Sequence, residues 1–296
     1  MIPLPRNMRR LSGLFNTKTP FQILSDLHLN HESQYLTFHI PPTAPYLILA
    51  GNIGCLADYN AYLSFLIRRC NLYERVYLVL GSLEYSGLTI PQGLHLASTM
   101  EREARLKGKL TVLHQKRVDV PGTTVTILGC TLWSNIPKPA ESAVLKKIPE
   151  FDKTQGIKNW SVSAHNEAHR ADLAWLRQQV QTMVSFTESA LAPSVTTYLV
   201  VTSYAPDTKD TLRAWQIDSP WSTAYGTDIL QGPIWGDVKV WVYGATGRTG
   251  KFKKEGIKFV SNQRGCVGEE EKGVLQDGMS EKAKVGLFDV TKAIKV

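Results

Sequence analysis

The stretch FQILSDLHL, residues 21–29, joins an uninterrupted apolar run to a polar turn that carries Asp26 and His28. A short aliphatic run of this kind is typical of a strand that is buried on both faces of a sheet. In open α/β sheets, functional side chains gather where such strands end and loops begin. The turn at 25–29 is therefore the first place at which we expect a functional site.

Six more runs have the same apolar character, and turns rich in glycine or polar residues follow them. Their nearly continuous hydrophobicity predicts sheets that are covered on both faces. Between the strands, apolar residues at helical spacing predict helices over 58–70, 93–107 and 161–186. The predicted strands are 21–24, 46–50, 75–80, 124–129, 196–201, 238–243 and 257–261.

The turns that end the strands follow an order along the chain. They are SDLHL (25–29), AGNIG (50–54), LGSLEYSG (80–87), TSYAP (202–206) and GATG (244–247). This order resembles the calcineurin-like metallophosphoesterase family, which has D-x-H, G-D, G-N-H-E, a lone histidine after a strand, and G-H-x-H. Over about residues 20–268 the chain is similar to the fungal-type intracellular branch of that family, through LGCTLWSNIP (128–137), SAHNEAHRADLAWL (163–176) and VSNQRG (260–265).

The resemblance implies a four-layer α/β/β/α sandwich, in which two mixed sheets are flanked by helices. We expect one domain over 1–296, with a core at about 20–268, a charged loop at 269–284 and a final strand at 285–291. The polar, proline-containing interval 137–159 is also predicted to be a surface loop. The family's chemistry uses two metal ions that share a bridging carboxylate and lower the pKa of a water molecule. The resulting hydroxide attacks phosphorus, and a histidine assists the leaving group.

The first two ligand positions of that site are intact, and the others that follow along the chain are substituted. Asp26 and His28 match the first pair of ligands. Asn52 stands where the family has its bridging aspartate, and a neutral amide cannot hold two cations together by charge. Ser203 stands where the family has its lone histidine. The resemblance therefore implies the fold without its two-metal centre.

The third and last motifs also lack the residues that the family uses as metal ligands and for catalysis. Ser82 and Leu83 stand at the family's asparagine ligand and catalytic histidine, although Glu84 is kept. Ala245 and Gly247 stand where the last motif has two histidines. Replacing two imidazoles by a methyl group and a hydrogen leaves volume at the mouth of the sheet, where water or a ligand can enter. We therefore expect an enlarged pocket that holds no metal and no cofactor.

The stretch GATGRTGK (244–251) looks like a phosphate-binding P-loop, but its positions do not fit one. Ala245 stands where the first glycine is required, and Phe252 stands where Ser or Thr binds magnesium. We interpret it as a reworked metal-ligand turn in which Arg248 meets an anionic group of a substrate. The alternative is a solvated arginine on a loop.

Asp26 and His28 are two residues apart, so in an extended chain their side chains project to the same side. A carboxylate placed there can orient an imidazole and raise its basicity. Tyr204 adds a phenolic donor near the same mouth. We predict these three as catalytic groups. The alternatives are a structural relic or a weak single-metal site for the first two, and a buried tyrosine with its hydrogen bonds satisfied for the third.

The remaining motif positions and Arg248 are predicted to contact a small organic substrate. The positive charge of Arg248 suits an anionic substrate. Glu84 has an alternative role as an acceptor that anchors its own loop. His165 and His169, four residues apart on a predicted helix, are interpreted as packing residues because Asn166 breaks the metalloprotease signature. The predicted substrate contacts are Asn52, Ser82, Glu84, Ser203, Ala245, Gly247 and Arg248.

Three functions fit these residues. The first is a metal-independent enzyme that acts on a small molecule, in a natural-product pathway for example, by acid/base cyclisation, isomerisation, elimination or addition. The second is a catalytically inactive pseudo-phosphoesterase that serves as a binding or regulatory module. The third is a residual phosphoesterase with one weakly held metal, which two ligands support poorly.

Composition limits the partners and the location. The chain has 34 Lys and Arg against 26 Asp and Glu, and the basic residues are spread along it, which does not favour nucleic acid. The N-terminal MIPLPRNMRRLSGLF lacks the apolar core of a signal peptide, and no run is long enough to span a membrane. We expect a cytoplasmic protein without a membrane partner, and the sequence leaves its oligomeric state open.

Overall fold

Two mixed β-sheets lie face to face in the computed structural model, which describes residues 18–187, 196–265 and 286–296. In spatial order the strands of the first sheet are β11 (Ala293–Lys295), β1 (Pro20–Leu24), β2 (Tyr46–Ala50), β3 (Arg75–Val79) and β4 (Leu110–Val112). Strands β1 to β4 are parallel to one another, and β11 is antiparallel to β1.

The second sheet has four parallel strands at its centre and an antiparallel strand at each edge. In spatial order its strands are β5 (Lys116–Asp119), β6 (Val125–Cys130), β7 (Thr197–Thr202), β8 (Val238–Val242), β10 (Ile257–Ser261) and β9 (Gly250–Lys254).

Helices cover the outer faces of the two sheets. Helices α1 (Tyr59–Leu72) and α2 (Ile90–Glu101) pack on the first sheet, and α4 (Val162–Thr187) packs on the second. The connections hold two short helices, α3 (Glu141–Lys147) and α5 (Ala214–Ile217). Within the described part of the chain, no helix is both long and apolar enough to cross a bilayer.

Alternate residues along the central strands serve different layers. In β2, Ile48 packs between the two sheets, whereas Leu47 and Leu49 pack against the helices on the outer face. In β7, Val201 faces the first sheet and Val200 faces α4. Because both faces of these strands are buried, the apolar runs are continuous instead of alternating. The four-layer α/β/β/α architecture expected from the sequence is confirmed.

Several local expectations need correction. The final strand is not at 285–291, because 286–291 forms turns and β11 follows at Ala293–Lys295. The charged loop expected at 269–284 lies outside the described residues. The interval 137–159 has the polar, proline-containing sequence of a surface loop, yet it contains α3 and buries Val144 and Ile148 in an apolar cluster.

Asn262, just after β10, joins the first sheet to the C-terminal segment. Its side chain is 1% exposed and donates to the carbonyls of Ile23, at 2.7 Å, and Asp289, at 2.8 Å. The same amide accepts from the Asp289 backbone N–H at 3.0 Å. A buried amide with these three partners fixes the position of three segments at once.

We expect Asn262→Ala to lower the free energy of unfolding by about 2–4 kcal/mol, because it leaves two carbonyls and an N–H buried without partners. Urea denaturation measures the change. Asn60→Ala, at an exposed position on α1, is the matched control and should stay within about 0.5 kcal/mol of the wild type. Equal losses in the two variants would contradict the role given to Asn262.

Candidate functional site

The strand ends that carry the sequence motifs meet at one edge of the two sheets. The Asp26 N–H donates to the carbonyl of Gly51 at 2.9 Å, and the Gly244 N–H donates to the carbonyl of Ser203 at the same distance. Glycine is required at 244, because a Cβ there would lie 2.7 Å from Asp26 Oδ2. The turns after β1, β2, β3, β7 and β8 therefore form one compact group, which we call the strand-end cluster.

Asp26 lies at the centre of this cluster and is 3% exposed. Its Oδ1 accepts from Asn52 Nδ2 at 2.9 Å, and the backbone N–H of Ala245 lies 3.2 and 3.1 Å from its two oxygens. Burial raises the pKa of Asp26 to about 6, while the hydrogen bond from Asn52 works in the opposite direction. The turn at 244–247 thus closes over Asp26 and shields its carboxylate from solvent.

Asn52 is oriented by hydrogen bonds at both ends of its amide. Its Oδ1 accepts from the Leu83 N–H at 3.1 Å, so its Nδ2 faces the Asp26 carboxylate. The reverse orientation would point a carbonyl oxygen at a carboxylate and an amino group at an N–H. An N–H donor therefore stands where the family has its bridging aspartate.

Glu84 holds the turns after β2 and β3 together. It is fully buried, and each carboxylate oxygen accepts more than one hydrogen bond. In the structure Glu84 has the loop-anchoring role, which uses both carboxylate oxygens, and its contact with a substrate stays a prediction. Burial raises its pKa, and the backbone donors oppose that rise. The five donors are the N–H groups of Asn52, Ile53, Gly54 and Gly81 and the hydroxyl of Tyr62.

The chain between Asp26 and His28 is not extended. Both residues have positive φ, 52° and 49°, so the argument that their side chains project to the same side does not hold. Burial and the charges of Arg264 and His31 lower the pKa of His28 to about 4. The alternation argument for an Asp26–His28 acid/base pair therefore does not apply to this turn, and the pair stays a prediction.

Tyr204 belongs to a second polar cluster next to the first. It is 2% exposed, and its hydroxyl donates to Glu150 Oε1 at 2.9 Å. The Ser82 side chain also hydrogen-bonds to both of these groups. His165 Nδ1 lies 3.5 Å from Glu150 Oε1, and His165 Nε2 lies 2.9 Å from Ser134 Oγ. Sequence reasoning placed Tyr204 with Asp26 and His28, whereas the structure pairs it with Glu150.

Glu150 has the electrostatics of a proton-transfer group. Its side chain is only 8% exposed, and burial raises its pKa to about 7, against the lowering effect of the hydrogen bonds from Tyr204 and Ser82. No motif in the sequence points to Glu150, because this residue lies in the polar interval 137–159. The signal that could have found it is the spacing of Val144, Ile148 and Phe151, which is the spacing of a buried helical face.

Gly247 and Arg248, the remaining predicted contacts on the 244–247 turn, are used within the protein. Arg248 Nη1 donates to the carbonyls of Asp210, at 2.9 Å, and Leu212, at 2.8 Å. The Gly247 N–H donates to Gln263 Oε1 at 2.6 Å, and Arg213 donates to the Gly247 carbonyl. In the structure Arg248 holds a neighbouring loop through these two carbonyls, and its contact with a substrate anion stays a prediction.

Neither Ser203 nor the surface depression at the start of α1 adds a lining residue to the strand-end site. Ser203 is fully buried and its hydroxyl has no hydrogen-bond partner in the described structure, so it lies beneath the site and does not line its surface. A shallow depression of about 380 Å³ lies beside the start of α1, and none of the predicted site residues lines it. Its lining residues are Asn30, Ser33, Ala57, Asp58, Tyr59, Asn60 and Ala61.

Comparison with known proteins places the fold. No protein-family model matches the sequence. An uncharacterized protein of Acanthamoeba polyphaga mimivirus is 24% identical over 235 residues, which cover 74% of this chain and 78% of that protein. The crystal structure of phosphopantetheinyl hydrolase from Mycobacterium tuberculosis matches with a TM-score of 0.58 and 14% identity, over 84% of this chain and 90% of that one. The fold is metallophosphoesterase-like.

A second solved structure is more distant. The putative 5'-nucleotidase from Staphylococcus aureus matches with a TM-score of 0.43 and 14% identity, over 83% of this chain and 49% of that one. At these sequence identities the comparisons concern architecture, and the chemistry has to be argued from the residues of this chain.

The metallophosphoesterase-like fold implies two metal ions at the strand ends, and the residues here do not fit them. Asp26 already accepts from an amide and a backbone N–H, and the bridging position presents the N–H of Asn52. Among the residues that the structure describes, no three His, Cys, Asp or Glu side chains are grouped closely enough to hold a metal ion. Neutral hydroxyl and amide groups replace the charged donors that a dinuclear site needs.

We expect Asn52→Asp to lower the free energy of unfolding at pH 7.5 by about 3 kcal/mol, because it places a second buried carboxylate against Asp26. Repulsion raises the pKa of the pair in the folded protein, so the folded state binds more protons than the unfolded state. Stability should therefore recover as the pH falls through about 6, the pKa region of Asp26. Urea denaturation at pH 7.5 and 5.0 tests this.

The control for that experiment is Asn159→Asp, which makes the same change at an exposed position. It should behave like the wild type at both pH values. Equal stability of Asn52→Asp and the wild type at pH 7.5 would show that the Asp26–Asn52 hydrogen bond is not the constraint described above.

Proposed function

We propose that this chain is a pseudo-phosphoesterase, a member of the fungal-type branch that has lost two-metal hydrolysis and serves as a binding or regulatory module. The observation that carries the proposal is the hydrogen bond from Asn52 Nδ2 to Asp26 Oδ1. That bond uses the Asp26 carboxylate internally at the place where the family's chemistry requires it for a cation. In this proposal the protein acts in the cytoplasm as a single domain and binds a small molecule.

Support also comes from how the strand-end cluster is held. Glu84 anchors two turns through its five donors, and Ala245 closes over Asp26. Of the family's metal ligands, Asp26 and His28 alone match in this sequence, and the contacts above hold the turns of the five motifs together. A framework that is retained in this way suits recognition by shape, since a binding module needs the surface and not the reaction.

We expect no metal-dependent hydrolysis of bis(p-nitrophenyl) phosphate with added manganese, nickel or iron, and less than one equivalent of transition metal by elemental mass spectrometry. The control is an Asp26→Ala, His28→Ala double variant, whose background rate should equal that of the wild type. A wild-type rate that depends on added metal and disappears in the double variant would replace the proposal with a residual phosphoesterase.

A second function is favoured by a specific contact, the 2.9 Å hydrogen bond between the Tyr204 hydroxyl and Glu150 Oε1. A carboxyl group with a pKa of about 7 can both accept and donate a proton at neutral pH. This candidate is a metal-independent enzyme that acts on a small organic molecule by acid/base chemistry, in a natural-product pathway for example. Glu150 takes the proton-transfer role that sequence reasoning gave to Asp26 and His28.

For this second function we expect Glu150→Gln to abolish turnover and Tyr204→Phe to reduce it by about 10²-fold. The measurement is a search by mass spectrometry for a product that the wild type forms in a cell extract. The matched control is Glu141→Gln on α3, where the partly exposed Glu141 pairs only with the exposed Lys138 among the described residues, and this variant should keep full turnover. A product that Glu150→Gln still forms at the wild-type rate would rule out the acid/base role.

A further inference from the structure

Glu150 is a buried carboxyl group that faces neutral partners. Tyr204 and Ser82 supply hydroxyl groups, and the third neighbour is His165 Nδ1 at 3.5 Å. Burial and the charge of His169 lower the pKa of His165 to about 3, so its imidazole is uncharged at neutral pH. Among the described residues, no lysine or arginine lies within ion-pair distance of Glu150.

Other buried acids in the chain are matched differently. Glu84 has five donors, Asp26 has an amide and a backbone N–H, and Asp207 pairs with Lys254. A buried carboxylate is costly unless donors or a cation compensate its charge. Glu150 is left with two hydroxyl groups and a neutral ring, so its ionised form lacks a positive partner.

Aromatic rings pack around His165 and Tyr204, the two ring neighbours of this carboxyl group. Trp133 and Trp160 lie 4.8 Å apart between ring centroids, and Tyr204 and Phe151 lie 5.8 and 5.6 Å from the His165 ring. Such ring faces attract cations, tryptophan most strongly. A carboxylate within aromatic walls is the usual composition of a site for an organic ammonium group.

Two polar atoms in the same cluster have no hydrogen-bond partner among the residues that the structure describes. They are His165 Nδ1, on a fully buried side chain that faces Glu150, and Trp160 Nε1. Buried polar atoms are normally paired, so unpaired ones beside a carboxyl group indicate a missing partner. Access from solvent exists at the partly exposed Ser82 and Trp160 and at the exposed edge of the Glu150 side chain.

We infer that Glu150, Tyr204 and the surrounding rings of Trp133 and Trp160 form a binding site for the ammonium group of a small aromatic amine. The inference rests on the proposed binding function and names its ligand class. The ammonium group pairs with the Glu150 carboxylate, and the aromatic part of the ligand lies against the tryptophan rings. Tyr204 lies on the turn after β7 next to the Asp26 cluster, but the Asp26 carboxylate is not one of the ligand-binding groups.

The test compares three probes of similar shape at pH 8 by tryptophan fluorescence and calorimetry. They are 2-phenylethylamine, 2-phenylethanol and 3-phenylpropionate. We expect the amine to bind at least about 10-fold more tightly than the alcohol, the difference that a charged hydrogen bond provides, and the carboxylate to bind least. Glu150→Gln should remove the preference for the amine, and Glu141→Gln should keep it.

A wild-type measurement keeps the inference testable if Glu150→Gln fails to fold. Below pH 7 Glu150 takes up a proton, so the preference for the amine should fall about 10-fold or more between pH 8 and 5.5. Its facing groups are Tyr204, Ser82 and the uncharged His165, and Asp26 acts on Tyr204. Equal binding of amine and alcohol, absence of saturable amine binding, or a preference that survives in folded Glu150→Gln would each overturn it.

The two proposals fail separately. Metal-dependent phosphodiester hydrolysis would overturn the pseudo-phosphoesterase whether or not the amine binds. Loss of amine selectivity would overturn the ligand class and leave the metal-free strand-end cluster as described.

Discussion

A carboxylate that is removed from water must be compensated by donors or by positive charge, and at Asp26 the compensation is an amide and a backbone N–H. Once Asn52 donates to Asp26, its own oxygen turns toward Leu83, and this fixes the turn after β2 against the turn after β3. Glu84 joins the same two turns, because the N–H groups of Asn52 and Gly81 both donate to its Oε2. The arrangement of the turns at this edge therefore depends on neutral donors compensating the Asp26 carboxylate.

The backbone at this edge is strained in a consistent way. Asp26, His28, Asn52 and Ala245 all have positive φ, at 52°, 49°, 55° and 65°. Ala245 is the least expected of them, because alanine gains no local hydrogen bond from its side chain in that conformation. Strain of this kind persists only where surrounding contacts determine it, and here the contacts are those of Glu84 and Asp26. The turns hold this conformation through contacts among their own side chains and backbone groups.

The sequence predicted the central part of the fold well and its edges poorly. β2 and β10 lie at the predicted residues because their runs are buried on both faces. The edge strands β5, KRVD, and β9, GKFKK, were missed because edge strands carry charged residues that keep them from pairing with other chains.

At the site, the motifs correctly brought the strand ends together, but the partners of the side chains could not be predicted. Asp26 and His28 have a backbone that invalidates an argument based on alternation. Tyr204 hydrogen-bonds to Glu150, which lies 54 residues earlier in the chain on a segment whose sequence resembles a surface loop.

The outer edge of β1 pairs with β11, near the other end of the sequence. The Gln22 side chain adds a hydrogen bond to the carbonyl of Val290, 268 residues further along. During synthesis β1 therefore has one unpaired edge until residues 290–296 have been made, and the first sheet cannot be completed before then.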